Sequence, residues 1–221
     1  MKKNKDQVRL RLLALAGLGP LLALPASAQD MPTAPYFYGG LGAGQSRAKI
    51  DAERISAGLL GAGLSTSSMT RDERDTSYKL FGGYQFNRYI GIEAGYFQLG
   101  KFGFMANTVP AGSLSGQIKL NGLNLDLVGS LPLGDRWTAL LRIGAQHARA
   151  RDQFVGTGAV SVLNPNPVER ATNPKLGAGL QYALSSSVLL RAEAERYRVN
   201  DAVGNRGGVN VVSLSLVFPF G

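Results

Sequence analysis

Cysteine is absent from this 221-residue chain, and histidine and tryptophan occur once each. Without cysteine there is no disulfide framework and no thiolate metal site. The single histidine, His147, has no nearby Ser or Asp in a defined motif, and no G-x-S-x-G, H-E-x-x-H or P-loop pattern appears. The Gly-x-Gly runs at 42–44, 61–63 and 177–179 are not followed by a helical pattern and are not phosphate cradles. No cofactor or metal is therefore expected, and a catalytic role for His147 has no motif behind it. Beyond the N-terminus, no stretch approaches the roughly 18 to 20 consecutive apolar residues of a membrane-spanning helix, so any membrane crossing must use strands.

What is present begins with a leader. Lys2, Lys3, Lys5, Arg9 and Arg11 form a basic start, Leu12 to Leu24 an apolar run broken by Gly17, Gly19 and Pro20, and Ala26-Ser27-Ala28 a small-residue cleavage site. Residues 1–28 are predicted to be a signal peptide and residues 29–221 a single domain. Without the five Lys/Arg and one Asp of the leader, the net charge of +9 falls to +5, from 19 basic and 14 acidic side chains. That interleaved excess is not a nucleic-acid footprint. A basic outer rim would suit anionic lipopolysaccharide, and an ordinary solvated face would look the same.

Between Phe81 and Gly100 the sequence reads FGGYQFNRYIGIEAGYFQLG, two arms joined at Asn87-Arg88. In the second arm Ile90, Ile92, Ala94 and Tyr96 share one face, while Gly91, Glu93 and Gly95 share the other. Apolar side chains outward and a carboxylate inward is the pattern of a membrane barrel. A soluble lipocalin-like barrel would require the opposite.

The same alternation predicts eight antiparallel strands in an up-and-down transmembrane β-barrel. The first opens at Tyr36–Ser46, and the second, Ser77–Phe86, turns Tyr78, Leu80, Tyr84 and Phe86 to lipid. The fourth starts near Gln117, and the fifth runs over Trp137–Ala150, with His147 on the lipid side near the outer rim. Pro174–Leu184, Val188–Arg198 and Gly208–Phe220 complete the set. Connections alternate between long (47–76, 100–115, 151–172, 199–207) and short (87–88, 132–136, 185–187), which places loops at one rim and tight turns at the other. The stretch 47–76 reads as an exposed loop with a helical turn near Ala52 to Ser56. In the fourth strand, apolar residues change parity from Ile118 and Leu120 to Leu123, Leu125 and Leu127, which predicts a bulge at Asn121-Gly122. Tyr36, Phe37, Tyr89, Trp137, Phe218 and Phe220 are expected to form one interfacial girdle.

The inward face carries Lys79, Glu93, Asp126, Arg142, Arg191, Glu193 and Glu195, and an ion in so narrow a lumen must find a partner. Written as F-G-G-Y-Q-x-N-x-Y-x-G-x-E-x-G-Y-x-x-L-G, the 81–100 segment resembles the second and third strands of the outer membrane protein A transmembrane domain. Weaker matches run from about Tyr36 to Gly221 through Arg142-x-Gly144, Gln181-Tyr182-Ala183, Leu190-Arg191-x-Glu193 and Leu214-Ser215-Leu216. The resemblance implies that Glu93 and Arg191 correspond to members of an ion-pair plug proposed as a gate in that family. Two other plug members differ, an inward glutamate falling at Gln181 and an inward lysine at Val128.

It also implies an outer-membrane location, assembly machinery that recognises the aromatic C-terminal strand, contacts with outer-membrane lipid and lipopolysaccharide, and a monomer. A structural role in the envelope, with loops that meet surface ligands, is the expected function. The alternatives are a narrow gated pore with Glu93 and Arg191 at its constriction and an outer-rim enzyme built on His147. The family's full-length form adds a peptidoglycan-binding domain after the barrel. The chain given ends at Gly221, so that tethering is not expected of it.

Overall fold

Strict alternation of burial along most strands sets the architecture. The structure is a computed structural model that describes residues 35–201 and 206–220; the predicted signal peptide lies outside the described residues. Those residues form β1 (Tyr36–Ala48), α1 (Ala52–Gly61), β2 (Ser65–Asp72), β3 (Arg74–Gln85), β4 (Ile90–Val109), β5 (Gly112–Pro132), β6 (Trp137–Gly158), β7 (Val168–Ala183), β8 (Leu189–Asn200) and β9 (Arg206–Phe220). Every neighbouring pair is antiparallel. β1 pairs with β3 on one side and β9 on the other, and β4 with β5, so eight strands close into a ring. Closure leaves no strand edge facing hydrocarbon, where each unpaired backbone group would cost several kcal/mol.

The ninth strand, β2, continues β3 past Glu73 and pairs with the outer half of β4, from Ser65 opposite Val109 to Asp72 opposite Gly103. It lies outside the ring and keeps one free edge. Strands β4, β5 and β6 have 20, 21 and 22 residues. Only about 9 to 11 residues are needed to cross a bilayer. Their outer ends therefore rise above the membrane as a wall, and there the free edge of β2 can be hydrated.

Three expected connections are thus shorter or more ordered than the sequence indicated. Residues 47–76 hold α1 and β2. Asp51 caps the helix, its carboxylate accepting from the Arg54 N–H at 3.0 Å. Ile55 and Leu59, one turn apart, face inward. Residues 100–115 are not a loop, because β4 reaches Val109 and β5 begins at Gly112. The third connection shrinks to 159–167 around Asn164-Pro165-Asn166-Pro167. Of the fourth, residues 202–205 lie outside the described residues.

The bulge sits on the facing strand. The β5–β6 register is unbroken from Gly112 to Pro132, whereas the β4–β5 register shifts between Gln98 and Gly100. Gly100 has φ +88°, and the adjacent Lys101 N–H donates to the Asp75 carboxylate at 2.6 Å. Ser46 Oγ donates to the Leu99 carbonyl at 2.5 Å. β5 does not change face: Leu120 is buried in the lumen and Ile118 packs beside it, above a polar lower half. The parity change in the sequence thus records a change in what the interior contains.

The outward face is apolar, with Leu80, Leu125, Leu141, Ile143, Leu176, Val212 and Leu214 exposed. At the inner end, exposed Phe37, Tyr89, Trp137, Phe218 and Phe220 form a girdle, extended by ring contacts of Phe37 with Tyr84 at 4.6 Å and of Trp137 with Tyr182 at 4.8 Å. Tyr36 is the exception, because its parity turns it inward against Tyr38.

A Cβ at Gly100 would approach the Asp75 carboxylate to 2.5 Å as well as strain the backbone. Gly100→Ala is expected to lower unfolding stability by about 1–2 kcal/mol. Gly129→Ala, where a Cβ would make only an ordinary contact at 3.8 Å, should be near neutral in urea unfolding from lipid vesicles.

Candidate functional site: the lumen ion network

The barrel interior is layered. Its middle layer contains eight ionic side chains, four of each sign, from six strands: Lys79 on β3, Glu93 on β4, Asp126 on β5, Arg142 on β6, Lys175 on β7, and Arg191, Glu193 and Glu195 on β8. All seven expected residues are placed here, and Lys175 joins them. The alternation of Leu176, Ala178, Leu180 and Tyr182 with Lys175, Gly177, Gly179 and Gln181 already turns Lys175 inward.

Arg142 is the hub. Its guanidinium donates to both Glu93 oxygens, at 2.5 and 2.8 Å, to Asp126 Oδ2 at 3.2 Å and, through Nε, to Glu193. Glu93 and Asp126 are directly opposite on β4 and β5, a pairing of like charges that would be unfavourable alone. The fork of Arg142 resolves it by serving both carboxylates.

Arg191 donates to Glu93 Oε2 at 2.7 Å and to Gln181 Oε1 at 3.0 Å, and Tyr38 on β1 adds an O–H donor to Glu93 Oε2 at 3.1 Å. Lys175 bridges Asp126 at 2.6 Å and Glu195 at 2.7 Å; Lys79 bridges Glu193 and Glu195. Rings of Phe81 and Tyr38 lie 5.2 and 5.4 Å from the Arg191 guanidinium. Each buried charge thus has opposite charges beside it, the condition for tolerating its desolvation.

Small residues make the room. A Cβ at Gly144 would overlap the Asp126 carboxylate, and one at Gly179 would come within 2.7 Å of Glu193 Cγ. At the two positions where the resembled plug differs, Gln181 is an acceptor for Arg191 and Val128 is a buried apolar side chain facing an inner vestibule.

Below the network that vestibule, about 440 Å³, is lined by Tyr36, Gln85, Arg88, Ser130, Thr138 and Arg191 among others. Above the network lies an apolar floor, where the rings of Phe97 and Tyr197 meet at 4.9 Å, tilted by 54°, beside Leu99, Leu120, Val209 and Val211. Higher still a second cavity opens toward the outer rim. His147 is far from this chemistry: it is exposed on the outward face, its Nδ1 2.9 Å from Thr172 Oγ1. Among the described residues no group of three or more His, Cys, Asp or Glu side chains could hold a metal ion.

Removing the hub should cost more than removing a spoke. Arg142→Met strips Glu93, Asp126 and Glu193 of a shared partner, and breaking a buried pair typically costs about 3–5 kcal/mol. Arg191→Met leaves Glu93 still held by Arg142 and Tyr38. The lower unfolding temperature, read by the heat-modified mobility of the folded barrel, is expected for Arg142→Met.

Comparison with known proteins places this architecture. The model of the OmpA-like transmembrane domain matches residues 32–221. Outer membrane protein A of Shigella flexneri is 27% identical over 144 residues, covering 64% of this chain and 39% of that protein, and the Klebsiella pneumoniae protein is 27% identical with 64% and 40% covered. The match thus spans less than half the length of these relatives. Among solved structures, Neisserial surface protein A has the same fold at a TM-score of 0.53 and 13% identity, with 83% of this chain and 97% of that one covered. Inverted barrel, closed ring and family match agree: the chain belongs to the OmpA-like transmembrane domain family of bacterial outer-membrane β-barrels.

Proposed function

We propose that this barrel is a structural and surface-interaction protein of the outer membrane rather than a conduit or an enzyme. The observation that carries the proposal is the double occlusion of the lumen, by a charge-balanced network of eight ionic side chains and then by the Phe97–Tyr197 floor. An eight-stranded barrel has an interior just wide enough for its own side chains, and here they close its middle between the inner vestibule and the outer cavity. What remains available for interaction is the outer wall of β2, β4, β5 and β6 with α1 and the 159–167 loop. Lipopolysaccharide around the wall and ligands at its tip are the proposed contacts, β9 is the proposed signal to the assembly machinery, and the barrel acts as a monomer.

The gated-pore reading has one specific feature in its favour, the vestibule that reaches Arg191 from the inner side. Opening would have to break the Arg191–Glu93 pair and also part the apolar floor. Planar-bilayer recordings separate the readings. The structural role predicts no discrete channel events from the wild type, together with detergent sensitivity of a strain lacking the protein that Arg191→Ala still rescues. Discrete events whose conductance changes in Arg191→Ala would overturn it in favour of the pore.

A further inference from the structure

The outer cavity is unlike the rest of the lumen. It measures about 700 Å³, within the range of small-molecule sites, and lies between the barrel wall and α1. Ile55 and Leu59 of the helix form one side, Phe104, Leu114 and Phe154 the wall, and Leu120 the floor. Phe104 and Phe154, on β4 and β6, present rings 6.5 Å apart, and Ile118 adds a further aliphatic surface. Polar groups appear at its margin, where Lys49, Asn164 and Asn200 join the lining.

We propose that this cavity binds the aliphatic chain of a small amphiphile, with the chain among Phe104, Leu114, Ile118 and Phe154 and the head group at the polar margin. Three features point to an aliphatic occupant. The walls are built from branched aliphatic side chains and the rings of Phe102, Phe104 and Phe154, which offer dispersion contacts and few hydrogen bonds. The floor of Phe97, Leu99 and Tyr197 separates the cavity from the ionic layer, so an occupant is held at the mouth and not led through the barrel. The helix α1, fixed by its Asp51 cap and by Leu59 packing on Leu64, Ala106 and Val160, covers the space from one side as a built element. The site is independent of the surface-interaction reading, since a barrel without a ligand would still present the same outer wall.

The native tryptophan, Trp137, lies in the inner girdle, so a reporter can be moved to the cavity. A Trp137→Phe, Phe154→Trp protein in lipid nanodiscs is titrated with 12-bromododecanoate, whose bromine quenches indole on contact. Saturable quenching is expected, at least tenfold weaker when Ile118→Arg is added, with Leu114→Trp as a second reporter position should Phe154→Trp fail to fold. Nanodiscs of chain-brominated phospholipid, without added fatty acid, distinguish a membrane lipid chain as the occupant from a free amphiphile. Quenching that rises linearly, with the same slope with and without Ile118→Arg at both reporter positions, and none from brominated phospholipid, would overturn the proposal.

Discussion

Closure of the backbone ladder governs everything else in this molecule. A strand immersed in hydrocarbon cannot leave its N–H and C=O groups unpaired, so β9 must return to β1, and it does so over Phe37 opposite Phe220 to Ala48 opposite Val209. A ring of eight strands then fixes the diameter, and the diameter decides that side chains must fill the lumen. The ionic network follows from these two facts. Apolar side chains are drawn to the lipid face, so the inner face is where the chain keeps its charges, and a narrow interior obliges them to meet. Arg142 makes that meeting possible by serving three carboxylates from three strands.

The interior is nevertheless not uniformly polar. From Glu93 to Leu99 along β4, and from Glu195 to Val199 along β8, the inward positions pass from carboxylates to Phe97, Leu99, Tyr197 and Val199. The change occurs at the height of the β4 bulge at Leu99-Gly100. Beyond it, β4, β5 and β6 continue as a wall whose inner surface resembles the core of a soluble protein, completed by α1. One chain thus carries an inverted barrel around its ionic middle and an ordinary apolar interior at its outer end.

This division explains what could be read from the sequence. The alternation of Ile90, Ile92, Ala94 and Tyr96 against Gly91, Glu93 and Gly95 revealed the barrel, because period two is insensitive to tertiary context once one face meets lipid. The inward charges followed by parity alone, and Lys175 could have been added by the same rule. The parity change of Ile118 and Leu120 points to a bulge on the wrong strand, because these two residues line an apolar part of the lumen and not the lipid face. The outer hairpin of β4 and β5 was hidden for the same reason, since Phe102, Phe104 and Ala106 follow the bulge with the opposite parity. Tyr36, an aromatic at a strand end, looks like a girdle residue until its parity with Tyr38 is counted.

The chain has no cysteine, so a nitroxide can be placed on single introduced cysteines without background. Labels at successive positions from Val211 to Val217 on β9, examined in lipid vesicles by power-saturation electron paramagnetic resonance, test the inversion most directly. High collision rates with lipid-dissolved oxygen are predicted at Val212, Leu214 and Leu216, and low rates with both oxygen and an aqueous nickel complex at Ser213 and Ser215. Oxygen accessibility that peaks at the two serines, or that shows no period of two, would contradict the account.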